Sequence, residues 1–154
     1  MEHRFRLERG GEGAHRQAMV PLLFHNEIMH PSPGGALFWP AERALLVADL
    51  HFEKADFFAR AGQYLPPYDS LETLRHLAAE VDATGARRLF CLGDSFHDAD
   101  GAARMPVGTR RAMEALSARL EDWIWITGNH DAAASFGLGR TVPELVLRGI
   151  ALRH

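Results

Sequence analysis

Apolar positions along the 154-residue chain fall into short runs broken by polar and turn-forming residues, and their spacing sets the elements. Val20 to Phe24 and Ala36 to Trp39 are brief apolar runs on either side of Pro31-Ser32-Pro33-Gly34-Gly35. They predict short antiparallel strands joined by that loop. Ala44 to Ala48 is apolar throughout, as expected of a strand covered on both faces. Leu71, Leu74, Leu77 and Val81 recur at helical spacing. Asp69 or Ser70 can cap that helix, Glu72 lies in its first turn and Gly85 ends it. A second buried strand spans Arg88 to Leu92, and a polar loop runs from Ser95 to about Pro106. A second helix then carries Met113, Leu116 and Leu120 on one side. Trp123 to Ile126 reads as a third strand, and Glu144 to Leu147 with Ile150 to Leu152 as a hairpin around Arg148 and Gly149. Strand, helix, strand, helix, strand is the signature of a parallel sheet with crossover helices, so the fold class is α/β. Residues 1–18 read as a poorly ordered leader and 19–154 as one domain.

Composition leaves that picture intact and narrows the setting. The chain is 47% hydrophobic and 24% charged, the range of a globular protein with one core. No apolar stretch approaches the roughly 20 residues of a membrane span, and the N-terminal segment lacks the apolar core of a signal peptide. One cysteine, Cys91, sits within an apolar strand and cannot form an internal disulfide, which fits a reducing, cytoplasmic setting. The formal net charge of −3 argues against a broad electrostatic nucleic-acid footprint, although Arg4, Arg6, Arg9, Arg110 and Arg111 leave room for local ones.

Candidate chemistry enters at the strand ends. Ala44–Ala48 runs into Asp49-Leu50-His51, Arg88–Leu92 into Gly93-Asp94-Ser95-Phe96-His97-Asp98, and the third strand into Gly128-Asn129-His130-Asp131. Ligands of an open α/β sheet bind outside the carboxyl ends of its strands, so clusters far apart in sequence should converge. Asp49 and His51, two residues apart, would point to one side of an extended chain. A carboxylate and an imidazole so placed suit Mn, Fe or Zn. Asp94 follows a glycine that permits a sharp turn, and its two oxygens can bridge ions about 3.5–4 Å apart. Asn129 offers a neutral oxygen to the second ion, His130 would face substrate, and Asp131 could orient it. His97 and Asp98 stand open between a substrate contact and a hydrogen-bonded loop.

In order and at successive strand ends, these clusters resemble the D-x-H, G-D-x-x and G-N-H-D signature of calcineurin-like metallophosphoesterases. The flanking text is similar to the bacterial ligase-associated, PdeM-type branch: Ala48-Asp49-Leu50-His51-Phe52-Glu53-Lys54, Leu65-Pro66-Pro67-Tyr68-Asp69 and Trp125-Ile126-Thr127-Gly128-Asn129-His130-Asp131. The resemblance implies an αββα sandwich of sheets flanked by helices. It implies that Asp49, His51 and Asp94 hold one divalent ion while Asp94 and Asn129 hold the other, with Mn²⁺ first and Fe or Zn as alternatives. His130, backed by Asp131, would be catalytic in the hydrolysis of a phosphodiester. It also implies a DNA or RNA substrate, a link to DNA repair, and association with a ligase or helicase. Family members continue to a G-H-x-H motif, whereas this sequence stops at His154, so the resemblance marks it as C-terminally incomplete. His154 takes the place of the isolated metal-binding histidine that precedes that motif, so the resemblance implies that it is a ligand of the second ion. Lost covering strands would leave apolar surface and favour a homo-oligomer. Two rival expectations follow: a non-catalytic metal-binding or docking subunit of the same fold, and a phosphomonoesterase or nucleotide-lipid hydrolase.

Overall fold

The computed structural model describes residues 20–50, 52, 70–95, 105–127 and 137–154. The expected leader over 1–18 lies outside them, as do His51, His97, Asp98, Asn129, His130 and Asp131. The described residues form a mixed α/β structure with a large central sheet and two helices.

Seven strands lie in chain order across the sheet: β1 (Leu22–Phe24), β2 (Glu27–Pro31), β3 (Leu37–Trp39), β4 (Ala44–Ala48), β5 (Arg88–Leu92), β6 (Asp122–Ile126) and β7 (Arg140–Val142). The first four run antiparallel to their neighbours, and β4, β5, β6 and β7 are parallel. Helix α1 (Ser70–Thr84) links β4 to β5, and α2 (Val107–Ser117) links β5 to β6. The remaining strands, β8 (Leu145–Leu147) and β9 (Ile150–Leu152), form a separate hairpin.

Strand alternation assigns the two faces. Leu45, Val47, Leu89, Cys91, Trp123 and Trp125 face α1 and α2, meeting Leu74, Leu77, Val81, Met113 and Leu116. Ala44, Leu46, Phe90, Ile124 and Ile126 face the other way and pack with Ile150 and Leu152 of β9. The sheet therefore lies between a helical layer and the two-stranded layer. That is why β4, β5 and β6 read as unbroken apolar runs. Trp123 and Trp125 stack at 4.9 Å between centroids, and the Trp123 indole donates to Cys91 Sγ at 3.3 Å, so all three are core residues.

The helices follow their patterns with one correction. Gly85, at φ +69°, closes α1 with its N–H donated to the Val81 carbonyl at 2.9 Å, as expected of a left-handed helix cap. Helix α2 stops at Ser117, so Leu120 packs on the core from the following turn.

Two strands escape the pattern. β2 occupies much of what reads as polar text, pairing with β1 through a two-residue turn at His25 and Asn26, both at positive φ. Such a turn matches the twist of a hairpin, and asparagine tolerates it well. β7, only three residues long and mostly polar, is an edge strand whose pairing with β6 was not visible in the hydrophobic pattern.

The β8–β9 hairpin is tied to the sheet by charge as well as by its apolar face. Arg148, in its turn, donates to Glu42 at 2.7 Å and Glu27 at 3.4 Å. The hydrogen bond to Glu42, with Glu27 adding, holds the Arg148 guanidinium above its ordinary pKa. Glu27 also accepts from the indole of fully buried Trp39 at 2.8 Å, so the anchor reaches the core.

Candidate metal centre

The parallel strands end in register: Leu92 pairs with Ala48 on β4 and with Ile126 on β6. Just beyond that row the chain bends. Asp49 has φ +51°, Gly93 +62° and Asp94 +39°. Positive φ in a residue other than glycine is uncommon outside aspartate and asparagine, and it concentrates at functional sites. At Asp49 the backbone leaves the extended conformation that the alternation rule assumes, while His51, its expected companion, lies outside the described residues. At Gly93 and Asp94 the sharp turn expected from the glycine is present.

Backbone bonds hold the turns. The Phe52 N–H donates to the Ser95 carbonyl at 2.9 Å, clamping the segment after β4 to the one after β5. Gly93 N–H donates to the Ile126 carbonyl at 2.8 Å, and Thr127 N–H to the Val142 carbonyl at 3.0 Å. Phe52 is itself in the helix-side core, so the clamp is anchored by burial.

Asp49, Asp94 and His154 meet at this rim. Each offers one ligand atom, and these atoms lie within 4.8 Å of one another. Oxygen or nitrogen ligands about 2.0–2.2 Å from a shared ion stand at most about 4.4 Å apart. A shift of a few tenths of an ångström would thus close the three around one cation. His154 Nε2 is 3.8 Å from Asp94 Oδ2, too long for a hydrogen bond and suited to two ligands of one ion.

The other Asp94 oxygen carries the fit. Oδ1 is buried and has no hydrogen-bond partner among the described residues. A carboxylate oxygen stripped of water without a donor is costly, by about 1–3 kcal/mol or more for a charged group. A cation beside it would remove that cost. The donor set of two carboxylates and one imidazole is the kind that Mn, Fe or Zn accepts.

Of the expected ligands, the structure brings together Asp49, Asp94 and His154. His51, Asn129, His130 and Asp131 lie outside the described residues, although Asn129 comes three positions after the end of β6 in sequence. Sequence reasoning missed the Phe52–Ser95 clamp and the Arg148 anchor. A polar hairpin turn opposite Glu27 and Glu42 was the only hint of the second.

No family model and no curated protein matches the chain. Among solved structures, the crystal structure of Pseudomonas putida nuclease MPE is similar, with a TM-score of 0.61 at 28% identity. The match takes in 80% of this chain and 58% of that one, so this chain spans little more than half the length of the nuclease. No helix among the described residues is long and apolar enough to cross a membrane.

Proposed function

We propose that this chain is a divalent-metal-dependent phosphodiesterase acting on nucleic acid, of the calcineurin-like metallophosphoesterase kind and the ligase-associated branch. The observation that carries the reading is the meeting of Asp49, Asp94 and His154 at the carboxyl ends of parallel strands, with Asp94 Oδ1 buried and without a hydrogen-bond partner among the described residues. The likeness to a nuclease points the same way. The strand-end clusters containing Asn129 and His130 supply the rest of the motif. An αββα sandwich is consistent with helices on one face of the sheet and the β8–β9 layer on the other.

The roles follow from the side chains. Asp49, Asp94 and His154 would hold one ion, with His51 joining them, which moves His154 from the second ion that the resemblance implies for it to the first, and Asp94 with Asn129 would hold the second. Bound metal supplies charge neutralisation and an activated water for attack on phosphorus. His130, oriented by Asp131, would donate a proton or a hydrogen bond to the oxygen leaving phosphorus. Mn²⁺ is the proposed metal, with Fe or Zn as alternatives, and the proposed setting is cytoplasmic DNA repair beside a ligase or helicase.

The test is cleavage of a labelled single-stranded oligonucleotide with Mn²⁺ or with EDTA, beside His130→Ala. Cleavage that needs both Mn²⁺ and His130 supports the reading. Metal binding without cleavage of any diester would favour the docking-subunit alternative, and release of phosphate from monoesters alone would favour a phosphomonoesterase.

A further inference from the structure

We infer that Gly93 is a positioning residue for the His154 ligand, acting by the side chain it lacks. The inference rests on the metal-binding part of the reading above and needs none of its hydrolysis. A Cβ placed on Gly93 would fall 2.0 Å from His154 Cδ2, 2.4 Å from Cγ and 2.8 Å from Nε2. Real Cβ atoms do not approach so closely, so the imidazole occupies the space a side chain would take. The ring lies against the turn that presents Asp94, and that contact leaves one ring nitrogen within 4.8 Å of an oxygen of each carboxylate, with Nε2 3.8 Å from Asp94 Oδ2.

Gly93 cannot yield readily, whereas the exposed His154 ring can be displaced. Gly93 is buried, and its N–H is committed to the Ile126 carbonyl, which joins it to the β5–β6 ladder. His154 follows β9, whose Ile150 and Leu152 are buried against the sheet. A methyl group at Gly93 would therefore push the ring off its seat while Asp49 and Asp94 stay in place. The glycine thus has two duties: its positive φ turns the chain, and its missing Cβ admits the histidine.

A double-mutant cycle in metal affinity separates these duties. Mn²⁺ binding is measured by calorimetry for the parent, Gly93→Ala, His154→Ala and the double variant. Gly85→Ala is the control, because Gly85 has nearly the same φ (+69° against +62°) with nothing within 4 Å of its Cβ. Gly93→Ala should weaken binding about 10- to 100-fold, as loss of a ligand-orienting contact does. His154→Ala should weaken it similarly, and the double variant no further. Gly85→Ala should melt earlier but bind Mn²⁺ as the parent does.

Parent-like affinity in Gly93→Ala overturns the inference. So does a double variant whose loss is the product of the two single losses, because Gly93 would then act on Asp94 instead. A parent that binds no Mn²⁺ removes the metal reading and the inference together. If Gly93→Ala does not fold, the parent decides through nuclear Overhauser contacts between the Gly93 Hα protons and the His154 ring proton on Cδ2. Strong contacts support the seat, and their absence in folded protein overturns it.

Discussion

Replacing Asp49 by asparagine should make the metal-free protein more stable and the metal-loaded protein less so. Asparagine has the shape of aspartate and tolerates the left-handed backbone at this position, so the change removes charge and little else. The Asp49 and Asp94 ligand oxygens lie within 4.8 Å. At that distance two like charges repel by about 0.9 kcal/mol in water and about 3.5 kcal/mol at an effective dielectric of 20. Asp49 is exposed, which places the repulsion near the lower figure, about 1 kcal/mol. In EDTA the variant should melt about 2–4 °C above the parent for a domain of this size.

Metal should reverse the order. At a concentration of 100 Kd for the parent, binding adds about 2.7 kcal/mol, or about 5–10 °C. A variant whose affinity falls about 100-fold would gain only about 0.4 kcal/mol at the same concentration. The assay is a pair of thermal melts, each with EDTA and with Mn²⁺. A variant that melts below the parent in EDTA, or gains as much from Mn²⁺, would refute the idea that these two carboxylates share a cation.

Further outcomes follow from the packing around the site. Gly139→Ala should cost at least about 2 kcal/mol in urea unfolding, because its φ is +76° and a Cβ would sit 2.1 Å from the Trp123 carbonyl oxygen. Gly137→Ala, at φ +73° in open space, should cost about half as much. Leu152→Ala should destabilise by about 2–5 kcal/mol and weaken Mn²⁺ binding, since the strand that it anchors carries His154. Arg148→Ala should speed amide exchange in β8 and β9 while leaving the β5 and β6 amides protected. The raised pKa of Arg148 contributes stability that is complete below its unfolded value and lost only above it. The difference between parent and Arg148→Ala should therefore be flat from about pH 5 to 9.

The part of this molecule legible in the sequence is the part dictated by burial on both faces. Ala44–Ala48, Arg88–Leu92 and Asp122–Ile126 are apolar because helices cover one side and β9 the other, and the rule for parallel sheets then places Asp49 and Asp94 together. Glu27–Pro31 was hidden because it ends in proline and alternates poorly, and Arg140–Val142 because an edge strand of three residues buries little. The bend at Asp49 left no trace either, since aspartate suits loops of many kinds. His154 was read from the resemblance, but its seat on Gly93 depends on how the β8–β9 hairpin lies across the sheet. No local pattern encodes that contact between distant segments.

The central claim is that these residues make a metal-dependent phosphodiesterase, and hydrolysis of a bis-aryl phosphate with added Mn²⁺, beside Asp94→Asn, tests it most directly. Turnover by the parent that disappears in Asp94→Asn and in EDTA is the expected result. Equal turnover by parent and variant, or none by a parent shown to bind Mn²⁺, would contradict the account.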